Sequence, residues 1–196
     1  MTPPDIGTLR KLLRTIRMDP SDTFVFERAA EPGEWAVTGT FLFAGRDVAS
    51  LPKKMQTAFR AGFAGVETLG FSTLAVVTDL EPGHAREALD RLSKSLMDQL
   101  GAPDFETARA AAAEELVFAS ELCEGHAAGT LIALHRTLED GQIRERFRSL
   151  RERDRSAEAL TGVRGHGKAF FVVETDDDEP EIDENIDLIE LMKAKQ

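Results

Sequence analysis

The chain has one cysteine, Cys123, one tryptophan and no tyrosine among its 196 residues. A single thiol cannot close an internal disulfide, and such sparing use of cysteine fits a reducing compartment. No run approaches the roughly 18 apolar residues that a membrane-spanning helix requires. The opening stretch, MTPPDIGTLRKLLRTIR, interleaves basic side chains with leucines and offers no small-residue cleavage site after an apolar core, so it does not read as a secretory signal. These absences predict a cytoplasmic protein. An excess of basic residues is missing too: 24 Lys and Arg stand against 35 Asp and Glu, a formal charge of −11. A net negative field opposes the phosphate attraction that dominates nucleic-acid affinity. Neither nucleic acid nor a membrane is an expected partner.

What is present is ordinary globular composition, 42% hydrophobic and 30% charged. A folded body of this size buries about two-thirds of its unfolded surface and needs no covalent staples. The charge is unevenly sorted. Ten acidic residues and two lysines lie from Glu174 to the end, a net of −8, which leaves −3 for residues 1–173. The pattern predicts one α+β domain over residues 1–175 and an acidic C-terminal tail, 176–196, with a short apolar segment.

Leu9, Leu12, Leu13 and Ile16 fall at helical spacing and predict a short amphipathic helix closed by Asp19-Pro20. Phe24 and Phe26 alternate, as do Trp35 and Val37 and, beyond Gly39, Phe41 and Phe43. With a turn at Glu31-Pro32-Gly33-Glu34, this predicts a β-hairpin. Pro52 opens a helix through KKMQTAFRAGF, and STLAVVTDL reads as a strand. A helix starting at Pro82 has the stripe Ala85, Ala88, Leu89, Leu92, Leu96 and Leu100, with Gly101 as its stop. Asp104 caps the next, whose stripe includes Phe105, Ala108, Ala112, Ala119 and Cys123. GTLIALHRT reads as a strand. Thr137 and Asp140 have capping-box spacing, and Ile143, Phe147 and Leu150 follow at helical intervals, which favours a helix there. The competing reading makes Asp140-Gly141 a hairpin turn, with Arg144, Arg146 and Arg148 on one face of a strand. KAFFVVET is a final strand. The order is not a regular βα alternation and predicts a mostly antiparallel sheet of about five strands with helices packed on it.

Candidate chemistry is thin. Gly162, Gly165 and Gly167 precede a strand, whereas a phosphate loop follows a strand and opens a helix, so they read as a turn. Cys123 and His126 have C-x-x-H spacing, but no second cysteine completes a thiolate pair; no metal site and no cofactor are expected. The stretch around Ser72 lacks the second glycine of a nucleophile elbow. Glu114 and Glu115 read as a solvated helix face. Of four histidines, His135 and His166 are the candidates for a site.

Six of the twelve positions from Arg144 to Arg155 are arginine: Arg144, Arg146, Arg148, Arg151, Arg153 and Arg155. Guanidinium forks suit carboxylates and phosphates, although an ion-paired helix face would also explain them. The tail has the opposite sign, and its apolar residues Ile186, Ile189, Leu191 and Met192 suit a short docking helix.

The segments RTIRMDPSDTFVFERAAEPGEW (14–35), MQTAFRAGFAGVETLGFSTLA (55–75) and GTLIALHRTLEDGQIRERFRSLR (129–151) resemble a bacterial family described only as a domain of unknown function. The resemblance covers much of residues 12–175, leaves out the tail, and implies no activity, cofactor or catalytic residue.

Two functions follow as expectations. The first is a non-catalytic accessory protein that meets another protein through Arg144, Arg146, Arg148, Arg151, His135 and His166, and through the tail. The second is a small enzyme or ligand-binding domain acting on an anionic metabolite through His135, His166 and nearby arginines. A deep pocket where those side chains converge would favour the second, and a flat charged surface the first. A homodimer joined through a sheet edge is compatible with either.

Overall fold

The structure, a computed structural model, describes residues 4–150 of the chain. The strands are β1 (Lys11–Ile16), β2 (Trp35–Val37), β3 (Phe63–Gly65), β4 (Phe71–Ser72), β5 (Leu74–Asp79), β6 (Leu131–Glu139) and β7 (Gln142–Leu150). The helices are α1 (Ser21–Val25), α2 (Lys53–Ala61), α3 (His84–Leu100) and α4 (Phe105–Glu121). The strands form one antiparallel sheet in the order β4-β3-β2-β1-β5-β6-β7, curled into a half-barrel. The fold is thus α+β around an antiparallel sheet, with seven strands among the described residues instead of about five. The expected strand KAFFVVET lies outside them.

Three local readings are corrected. The segment expected to be the first helix is β1, the centre of the sheet, paired with β2 on one side and β5 on the other. Leu12 and Leu13 are both fully buried. A strand covered on both faces loses the alternation of a half-buried strand, and its leucines then mimic helical spacing. The expected hairpin of residues 24–43 does not form. Residues 21–25 are a helical turn with Phe24 exposed, and β2 pairs with β1 and β3. The turn before β2 is present, with Gly33 at φ 86°, but it links α1 to β2. Third, residues 142–150 are strand β7, not a helix.

Other signals hold. Asp104 accepts a hydrogen bond from the Thr107 N–H at 2.7 Å and starts α4. Gly101, at φ 71°, ends α3 as its N–H and that of Ala102 bond back to Met97 and Leu96. α3 packs on α4, α4 on β1 and β2, and α2 on β6. Under α2, Phe43 meets Phe59 edge-on at 5.3 Å and Phe71 at 5.8 Å.

One buried charge ties these parts together. Arg136 on β6 is 1% exposed. Its Nε donates to Glu145 Oε1 at 2.7 Å and to Thr40 Oγ1 at 2.9 Å. Its Nη1 donates to the Phe59 carbonyl at 2.9 Å and the Gly62 carbonyl at 3.0 Å, and its Nη2 to that of Thr38. The Phe59 and Gly62 carbonyls belong to the C-terminal end of α2, where unpaired oxygens and the helix dipole both favour a cation. Thr40 in turn donates to Glu145.

Replacing Arg136 with Met should lower stability by about 3–5 kcal/mol, the range for breaking a buried ion pair, because Glu145 and three carbonyls lose their partner. Arg136→Lys should recover less than half of that, since an ammonium cannot span the same set of acceptors. Urea unfolding midpoints check both, and a Met variant as stable as the wild type would show that the tie is dispensable.

Candidate functional site

β6 and β7 form a nine-rung hairpin closed by Asp140 and Gly141, which have φ of 51° and 76°. Two consecutive positive φ values match the twist of a tight hairpin, and Asp-Gly tolerates them. The period of two then sorts the side chains. Ile132, Leu134 and Arg136 are buried, facing Ser149, Phe147 and Glu145 across the ladder. Phe147 meets Phe118 of α4 edge-on, with ring centroids 6.2 Å apart.

The alternate positions form the outer face. Ala133 is opposite Arg148, His135 opposite Arg146, and Thr137 opposite Arg144. His135 and all three arginines are exposed. Residues two apart on a strand are about 6.6 Å apart, so the guanidiniums form a row along one edge of the hairpin. Arg144 is paired with Glu139 at 2.8 Å. Arg146 and Arg148 have no ion pair among the described residues. Four of the expected site residues are thereby brought together. Arg151, His166 and the tail residues Ile186, Ile189, Leu191 and Met192 lie outside the described residues, as do Gly162, Gly165 and Gly167.

Among the described residues, three of the clefts, of about 480, 610 and 420 Å³, lie away from this face. The first is bordered by Leu9, Lys11 and Cys123, the second by Arg10, Arg86 and Arg109, and the third by Arg28, Met55 and Phe71. His135, Arg144, Arg146 and Arg148 line none of the three.

The inner face holds a charge cluster that sequence reasoning missed. Glu114 is exposed as expected, but Glu115 is half-buried beside Arg136 and Glu145. Burial pushes its carboxyl up to about 7, the nearby Glu145 charge adds to the rise, and Arg136 opposes it. Burial pulls the Arg136 guanidinium below its ordinary value, and Glu145 counteracts this. The signal for Glu115 was present in the periodicity. It lies three residues after Ala112 and four before Ala119, next to the buried Leu116 on the inner side of α4. The Arg136 donors are committed to protein acceptors, so the cluster reads as a structural tie with one strained carboxyl.

Other candidates are accounted for by packing. Cys123 is buried and donates to the Ala119 carbonyl, and burial raises its thiol to about 12, which removes it as a nucleophile. Ser72 is buried with its hydroxyl within 3.0 Å of the Ile16 and Leu74 carbonyls. Among the described residues, no group of three or more His, Cys, Asp or Glu could hold a metal ion, and no helix is long and apolar enough to cross a membrane.

The chain belongs to the family of unknown function DUF6505, which it matches over residues 10–187, twelve residues into the acidic tail. No curated protein and no solved structure matches it.

Glu115 supplies a pH test. Its folded-state value, about 7, lies above its ordinary value of 4.5, so the native state binds the extra proton between those two values. Its contribution to stability is complete below 4.5 and is lost as the pH rises through 7. Glu115→Gln should therefore leave Tm unchanged or slightly raised at pH 8 and flatten the fall in Tm that the wild type shows between pH 5.5 and 8. Calorimetry across that window checks it; parallel curves for the two proteins would refute the assignment.

Proposed function

We propose that the protein is a non-catalytic accessory protein that binds an acidic segment of another protein on the outer face of the β6–β7 hairpin, with its acidic, apolar tail as a second contact. The observation that supports this is the row of Arg144, Arg146 and Arg148 beside His135, all exposed on one face of a hairpin whose other face is bound into the core. Arginine forks donate to carboxylates in pairs, giving directional as well as charge recognition. A single exposed ion pair is worth only about 0–1 kcal/mol, so a row of several cations along an extended partner is what makes such a surface useful. The same row steers an acidic partner during encounter and makes the association rate fall with salt. Ligand sites for small metabolites are concave, and these side chains line none of the three clefts described above.

Affinity purification from the native cell at low salt, with the wild type and with R146E/R148E, tests the reading. One stoichiometric protein recovered with the wild type and lost with the variant is the expected result. A small molecule retained by the purified wild type, with no stoichiometric protein, would overturn it in favour of a ligand-binding domain.

A further inference from the structure

Resting on that reading of the hairpin face, we infer that the protein's own residues 174–190 occupy the same arginine row in cis, so that a partner must displace them. Three observations support this. The row is exposed, and Arg146 and Arg148 have no carboxylate partner among the described residues, where only Arg144 is engaged, by Glu139. The chain supplies the complementary charge itself: residues 174–190 hold ten carboxylates and no basic residue, and the two tail lysines follow at 193 and 195. The connection is short, since Glu174 follows Leu150, the last residue of β7, by 24 positions. An extended chain of that length reaches about 80 Å, against about 30 Å for the whole length of a nine-residue strand.

Tethering sets the magnitude. A segment of the same chain within reach of the face is presented to it at an effective concentration on the order of 1 mM. If the free peptide binds the face with a dissociation constant of about 0.1 mM, the tethered copy fills it roughly nine-tenths of the time, and an external acidic ligand binds about tenfold more weakly. The contacts are exposed ion pairs, so both effects shrink as the Debye length falls from about 10 Å at 0.1 M salt.

The test uses a fluorescent synthetic peptide identical to residues 174–192, titrated by anisotropy into three full-length proteins. These are the wild type, a neutral-tail variant (E174Q, D176N, D177N, D178N, E179Q, E181Q, D183N, E184Q, D187N, E190Q), and that variant with R146E/R148E added. The expected result is that the neutral-tail protein binds the peptide about tenfold more tightly than the wild type at low salt. The gap should close at high salt, and binding should be lost with R146E/R148E. Equal affinity for the wild type and the neutral-tail protein would overturn cis occupation while leaving the docking face intact. Binding that depends on wild-type concentration, with a dimer in sedimentation, would likewise overturn it in favour of exchange between copies. No binding to any of the three, or binding indifferent to R146E/R148E, would sink the docking face itself.

Discussion

A guanidinium fully withdrawn from water must satisfy a planar fan of donors, and Arg136 does so by drawing three separate segments to one point. The end of α2, the stretch after β2 (through the Thr38 carbonyl and the Thr40 hydroxyl) and Glu145 on the next strand all supply oxygens to it. Each acceptor fits only if the others are in place, because the side chain cannot turn to favour one without abandoning another. That mutual dependence fixes how the last hairpin sits against α2. It also explains why a chain with a modest aromatic core places a charge at its centre: the carbonyls at a helix end need a donor, and arginine reaches several at once.

The same hairpin keeps two kinds of chemistry apart with a two-residue repeat. Glu145 turns inward to Arg136 while Arg144 and Arg146, its immediate neighbours, turn outward. Arg144, Arg146 and Arg148, which look like part of one undifferentiated basic run along the chain, are therefore a row facing a single direction. The buried arginine belongs to the partner strand and serves the fold.

How much of this was legible varies with the physical signal. α2, α3, α4, β5 and β6 could be read because each is covered on one side or ends at an unambiguous cap or glycine, such as Asp104 and Gly101. β1 could not, since Leu12 and Leu13 are both buried and period two disappears when both faces are covered. Phe24 and Phe26 alternated by coincidence, one exposed and one in the core. β7 was ambiguous because Ile143, Phe147 and Leu150 satisfy a helical repeat, while Asp140-Gly141 argued for a turn; backbone geometry decides for the turn. Of the candidate site, His135 and Arg144, Arg146 and Arg148 were found as residues, but their common face depended on that decision. Arg136 and Glu115 were missed for a shared reason. Both are charges in positions that a hydrophobic pattern treats as gaps, although each keeps the spacing of the buried residues around it.

The nine-rung ladder between β6 and β7 has one more implication, for descent with variation. Orientation there is a matter of odd and even, so losing or gaining one residue within β7 would send Arg144 and Arg146 toward Phe118 and eject Glu145 into solvent. A change of two residues would merely slide the basic row one rung along the hairpin. Length changes in this stretch should therefore come in even steps, or fall within the Asp140-Gly141 turn itself, which lies outside the paired rungs.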